Sequence, residues 1–190
     1  GGRLLYVGGI DRYKNLLPLA EAVARLRRED YPLTLHLVGR VLDSSTYRAL
    51  ERVARQADSG LFLHGEISHA TIGTVYQLAD AFVAPSGCET FGLVLPEAMG
   101  YGLPIAAAQR RALPAVRGEA AFFFEPDSVE SIAAALRRLA DDAPLRVALS
   151  QRARQRAKAF SWETCADETL TYLARIARHH QLRQLAAEPA

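Results

Sequence analysis

The stretch Pro85-Ser-Gly-Cys-Glu-Thr-Phe-Gly-Leu-Val-Leu-Pro-Glu-Ala-Met-Gly-Tyr-Gly-Leu-Pro104 decides the fold. It follows the short apolar run Ala81–Ala84, turns through Gly87 and reads as entering a helix near Gly92. Pro96 fits only the first helical turn, where its missing N–H has no intrahelical partner. The amides of Gly92, Leu93, Val94 and Leu95 are then expected to be free at the positive end of the helix, an arrangement suited to a diphosphate. Two carboxylates flank this mouth: Glu89 in the loop and Glu97 in the first turns. Carboxylates accept hydrogen bonds from hydroxyl pairs, so they suit a sugar-bearing ligand better than bare phosphate.

Outward from this segment, apolar runs alternate with helical patterns. The strand candidates are Leu4–Val7, Leu33–Val38, Leu61–Leu63, Ala81–Ala84, Ile105–Ala108 and Ala121–Phe124. Nearly every position in them is apolar, as in strands covered on both faces. Helical spacing is expected over Leu16–Arg28, Thr46–Gln56, Thr71–Leu78 and Leu93–Gly100. This alternation predicts right-handed βαβ units and a Rossmann-like, doubly wound parallel α/β sheet of about six strands. After Pro126 the pattern becomes helical over Ser128–Leu139, Pro144–Phe160 and Trp162–Arg178, with Ser161 as N-cap of the last helix. Gln181 to Ala190 reads as a fraying polar tail. The expected organisation is one nucleotide-binding domain over residues 1–178 and a polar tail over 179–190. A core strand three residues after Gly1 is also the pattern expected of a domain cut from a longer chain.

Composition narrows the function classes. Among 190 residues, 49% are hydrophobic and 23% charged, and 23 Lys plus Arg nearly balance 21 Asp plus Glu. A net charge of +2 makes no electrostatic case for nucleic acid. Two cysteines, Cys88 and Cys165, do not make a disulfide framework and fit a cytoplasmic setting. No Cys or His spacing suggests a metal site. His36 is expected in the strand core, and Arg137, Arg138 and Arg152 to Arg156 on a solvated helix face. A peripheral membrane-surface role for that basic stripe is the secondary reading.

Ligands of doubly wound sheets bind beyond the carboxyl ends of the strands. The loop Gly8-Gly-Ile-Asp-Arg-Tyr-Lys-Asn15 follows the first strand, and Lys14 could reach across to a diphosphate. It lacks both the G-x-G-x-x-G dinucleotide fingerprint and the P-loop pattern, which counts against nicotinamide enzymes and P-loop phosphotransferases.

Several segments in order resemble one family. They are Tyr6-Val-Gly8 through Lys14-Asn15, Leu37-Val-Gly39, Leu63-His-Gly65-Glu-Ile67, and Tyr76-Gln-Leu-Ala-Asp-Ala-Phe-Val-Ala-Pro-Ser86. Glu89 and Glu97, Gly118-Glu-Ala-Ala-Phe122, Glu125-Pro126 and Phe160-Ser-Trp162 follow. Over roughly residues 3 to 178 the chain resembles the C-terminal, donor-binding domain of retaining GT-B glycosyltransferases of the group 1 family. That resemblance implies half of a GT-B fold, with an acceptor-binding N-terminal domain outside this chain. It also implies transfer of a sugar from a nucleoside diphosphate sugar, without a metal or other cofactor, to a polysaccharide, lipid-linked or small-molecule acceptor. Polysaccharide biosynthesis in the cytoplasm, or at the inner face of the membrane, would be the setting.

By the same resemblance, Lys14 would bind the donor diphosphate and Glu97 the ribose hydroxyls. Glu89, Thr90, Phe91 and Gly92 would hold the donor sugar and phosphates, with Leu93 completing the helix mouth. Glu89 would position the sugar rather than act as a nucleophile, and Lys14 would steady the leaving diphosphate. Gly39 would lie beside the nucleotide, and Gly65 and Ile67 in the nucleobase loop. The chain departs from the family pattern at Gly9, where Arg is frequent and where Arg12 or Arg3 could supply the charge. It departs again at Ala108, Arg111 and Ala115, where members read Ser, Gly and Glu. Other readings stay open: another GT-B enzyme such as an epimerase or phosphorylase, or a non-catalytic nucleotide-binding module.

Overall fold

In the computed structural model, which describes residues 2–88, 92–109 and 118–187, six parallel strands form one sheet. They are β1 (Gly2–Val7), β2 (Leu33–Val38), β3 (Leu61–Gly65), β4 (Ala81–Ala84), β5 (Ile105–Ala108) and β6 (Ala121–Phe124). Their order is β3-β2-β1-β4-β5-β6, with every neighbouring pair parallel. This is the doubly wound order whose direction of growth reverses between β1 and β4. The strand edges agree with the apolar runs of the sequence, with β1 and β3 each extended by two residues. The extension of β3 follows from a register shift that pairs Val38 with Gly65.

Helices cover the two faces. α1 (Leu16–Arg28) and α5 (Val129–Asp141) lie on one of them, α3 (Ile72–Leu78) and α4 (Val94–Gly100) on the other, while α2 (Ser44–Ala54) packs beside α1. α6 (Ala143–Ala157) packs on α4, β5 and β6. Alternate strand positions serve the two sides. Leu4, Tyr6, Leu35, Leu37, Val83 and Phe124 join Leu19, Val23, Ile132 and Leu136 in the first core. Full burial of each large aliphatic chain contributes about 1.5–3 kcal/mol. On the second side, Phe82 lies 6.0 Å from the ring of Tyr76.

Two expectations need correction. His36 is not in the core but half-buried, with its ring in a polar–aromatic cluster. Its ring stacks on Phe62 at 4.9 Å, and its Nδ1 shares a 2.9 Å hydrogen bond with His64 Nε2. Burial, then His64 and Arg3, hold the His36 imidazole below its usual pKa. The second correction concerns α2, which starts at Ser44 because Asp43 caps it. The Asp43 carboxylate accepts from Thr46 N at 2.8 Å and Thr46 Oγ1 at 2.5 Å.

Arginines of α5 and the start of α6 make contacts within the fold, whereas Arg152 and Arg154 are exposed. Arg137 pairs with Glu29 at 2.5 Å and Arg138 with Asp142 at 2.8 Å, while Arg146 donates to the carbonyls of Leu139 and Ala140. A second compact unit begins at Lys158. That unit holds α7 (Trp162–Ala187), whose N-cap is Ser161, with Thr164 N donating to Ser161 Oγ at 3.0 Å. The helix continues through residues 181–187, where the sequence reading expects a fraying tail. Gln, Leu, Arg and Ala are all strong helix formers, and no Gly or Pro interrupts them. No described helix is long and apolar enough to cross a membrane.

Candidate functional site

Backbone geometry builds the site before any side chain enters it. Beyond their last paired residues, β1 and β2 stay knit together. Gly8 N donates to Val38 O at 2.9 Å, Ile10 N to Arg40 O at 2.9 Å, and Leu42 N to Ile10 O at 3.0 Å. Gly39 N donates onward to Gly65 O at 2.8 Å, which ties the third strand end to the same group. Gly8, Gly39 and Gly65 take φ of 151°, 147° and 69°, values that L side chains rarely adopt.

These strand ends and the start of α4 surround a pocket of about 520 Å³. Gly8, Gly9 and Gly39 form one wall, and Val94 and Glu97 of α4 form another. Arg40, Leu42, Glu66, Ile67, His69 and Ile72 complete the lining. The pocket lies at the reversal point of the sheet, where the two winding directions leave a crevice. A second depression of about 550 Å³ runs along α2 between Ser45, Arg48, Glu51, Arg52 and Arg55. Its charged side chains come from one solvated helix face without a backbone cradle, so we place the functional site at the strand ends.

Of the residues singled out in sequence, Gly9, Gly39, Ile67 and Glu97 line this pocket together. Gly65 supports it through the bond to Gly39. Arg12 and Lys14 form a single 3₁₀ turn capped by Asp11, outside the pocket lining. The turn is anchored to the loop after β4, since Gly87 N donates to Tyr13 O at 3.1 Å. The ammonium of Lys14 stands 4.9 Å above the Tyr13 ring. The turn and the loop leading to α4 are therefore neighbours.

The helix mouth differs in detail from expectation. α4 begins at Val94 rather than near Gly92, and Pro96 falls in its first turn. Leu95 N is already used by Gly92 O at 2.8 Å, so it is not among the free donors. Gly92, with φ of 71°, makes the turn, and Leu93 is exposed beside it. Glu89, Thr90 and Phe91 lie outside the described residues, as do Arg111 and Ala115.

One residue of the site escapes sequence reading. Tyr76 donates its hydroxyl to Glu97 Oε2 at 2.8 Å, from a ring only 1% exposed and stacked on Tyr101 at 5.1 Å. Burial first, and then the bond to Glu97, keep the phenol protonated far above its ordinary range. The partners are 21 positions apart in sequence, so only the folded chain reveals the pair. Arg40, Glu66 and His69 are also absent from the sequence-derived set, although the segments just after β2 and β3 contain or adjoin them. Among the described residues, no three His, Cys, Asp or Glu side chains gather as a metal site.

Known proteins share both sequence and architecture. A family model described as glycosyl transferases group 1 matches residues 2–156. O-antigen chain mannosyltransferase B of Escherichia coli is 31% identical over 172 residues, covering 89% of this chain and 45% of that protein. Sucrose-phosphate synthase of Thermosynechococcus elongatus superposes with a TM-score of 0.81 at 28% identity, over 94% of this chain and 46% of that one. The C-terminal domain of a group 1 family glycosyl transferase from Francisella tularensis superposes with a TM-score of 0.72 at 27% identity, covering 83% and 84% of the two chains. The chain thus spans less than half the length of the Escherichia coli relative it matches. The Rossmann-like sheet is consistent with one half of a GT-B fold, and the chain belongs to the group 1 glycosyltransferase family.

Proposed function

We propose that this chain is the donor-binding half of a retaining glycosyltransferase, taking a nucleoside diphosphate sugar and passing its sugar to an acceptor held by a second domain. The observation that carries the reading is the convergence of backbone glycines and the Glu97 carboxylate on a single crevice. Gly8, Gly9 and Gly39 line it with main chain alone, drawn together because none carries a Cβ, and Glu97 of α4 offers acceptor oxygens to the same space. The ribose diol is assigned to Glu97 and the diphosphate to the space between Gly9, Lys14 and the turn at Gly92–Val94. The base is assigned to the lining at Ile67.

Breaking the bond between the sugar's anomeric carbon and the diphosphate leaves negative charge on the departing oxygens. Lys14 and main-chain N–H groups of the Gly92–Val94 turn are the groups we assign to stabilise that charge. Glu89 is assigned to position the donor sugar together with Thr90 and Phe91, and no metal is required by this scheme.

Calorimetric titration of the chain with uridine, guanosine and adenosine diphosphates tests the donor site. Saturable heat with at least one of the three is expected. Silence with all three would remove nucleotide binding from the proposal. In a longer protein carrying the acceptor domain, a labelled nucleotide sugar should give transferred sugar. Release of a free epimer without transfer would assign the site to epimerisation.

A further inference from the structure

We propose that Tyr76 is a positioning residue for the ribose site, holding Glu97 so that its carboxylate is set to accept from the nucleotide diol. The inference rests on the donor-site reading above and deepens it. Glu97 lines the pocket, and an unrestrained glutamate there would have to lose side-chain freedom when a ligand binds. Tyr76 removes part of that freedom beforehand through the 2.8 Å bond to Oε2. The tyrosine cannot easily move away. Its ring is buried, stacks on Tyr101 with the planes 6° apart, and lies 6.0 Å from Phe82 on β4. Tyr101 is itself held close over α3, since a methyl group on Gly73 would stand 2.6 Å from its hydroxyl.

The direction of the hydrogen bond matters. The phenol keeps its proton in this buried position and donates it, so the carboxylate remains an acceptor on its other lone pairs. Those positions suit a ligand that presents hydroxyl donors, as the ribose 2′ and 3′ groups do. They gain nothing from a sugar that lacks both. Tyr76 should therefore set the preference for ribose without touching the ligand.

A purely structural Tyr76, using Glu97 only to satisfy a buried hydroxyl, makes a different prediction. The chain and its Tyr76→Phe variant are titrated with guanosine, uridine and adenosine diphosphates and with the matching 2′,3′-dideoxynucleoside diphosphates. The wild-type chain should prefer the ribose form of the nucleotide it binds by about tenfold or more, as for hydrogen bonds to a charged group. Tyr76→Phe keeps both ring contacts and should lose most of that preference, with dideoxy binding unchanged. Unchanged dideoxy binding also shows that the variant is folded. Glu97→Gln should lose the preference too, and the double variant should lose little more than either single one. Retained ribose preference in Tyr76→Phe, or equal weakening of both nucleotide forms, overturns the positioning role alone. Absence of binding by the wild-type chain, or binding without ribose preference, overturns the donor-site reading on which the role rests.

Discussion

Gly39 passes so close to Gly8 that a methyl group on Gly39 would stand 1.9 Å from the Gly8 carbonyl oxygen. Backbone meets backbone here, and no flexible side chain can give way. Gly39 also has a φ of 147°, which strains any L side chain. Gly39→Ala should therefore push apart the ends of β1 and β2 and distort the pocket wall they form. A stability loss of about 1–3 kcal/mol is expected from such overpacking. Denaturant unfolding measures that loss, and calorimetry should show weaker nucleotide binding in the folded fraction. Wild-type affinity in the variant would mean that this approach does not shape the ligand site.

Lys14 and Glu97 stand on different elements, one in the turn after β1 and the other on α4. If they hold opposite parts of one nucleotide, removing either should weaken binding without changing the fold. Lys14→Ala and Glu97→Ala are each expected to cost about 1–3 kcal/mol of binding free energy, the range for hydrogen bonds to charged groups. A nucleoside monophosphate should feel the Lys14 change less than the diphosphate does. Unchanged diphosphate affinity in both variants would move the ligand to another part of the molecule.

The sheet could be read from sequence because buried parallel strands are short, apolar and separated by amphipathic helices, and these are local properties. Ile105–Ala108 is apolar at every position and forms β5 over the same residues. Glycines at strand ends were legible for the same reason, since Gly39 and Gly65 follow apolar runs directly. Tyr76 was not legible as a site residue. On α3 it reads as an ordinary core aromatic, and its partner Glu97 becomes visible only when the fold brings it within hydrogen-bond reach. Nor was the separation of Lys14 from the pocket lining legible, because the 3₁₀ turn holding it is fixed by main-chain contacts to Gly87.

Asp43 gives the domain a pH-sensitive helix start beside the pocket. Hydrogen bonds from the Thr46 and Ser45 hydroxyls and from Thr46 N hold its carboxyl well below the ordinary carboxylate range. A depressed folded-state pKa stabilises the fold above the unfolded value of about 3.9, and that contribution is lost as pH falls further. Thermal unfolding of the chain and of Asp43→Asn, followed from pH 7 to pH 3, isolates this contribution from other carboxylates such as Glu29. The gap between the two melting temperatures should be constant near neutrality and narrow below about pH 4. A gap independent of pH would assign Asp43 a capping role without a charge contribution.

Gly102 offers a contrast with Gly39, because it closes the far end of α4 rather than the ligand wall. It has a φ of 69°, and the turn is completed by Gly102 N donating to Met99 O at 2.9 Å and Leu103 N to Ala98 O at 3.1 Å. A methyl group there would meet the Arg154 guanidinium of α6 at 2.3 Å, but that neighbour is the end of a long side chain and can move. The cost of Gly102→Ala is therefore mainly the left-handed backbone itself, about 1–2 kcal/mol. Ser150 Oγ, which donates to Gly102 O at 2.6 Å, keeps α4 tied to α6 in the variant. Stability should fall while nucleotide affinity stays near the wild-type value, since Glu97 and Tyr76 sit one turn or more away. Loss of binding equal to that of Gly39→Ala would show instead that the C-terminal anchor of α4 sets the position of Glu97.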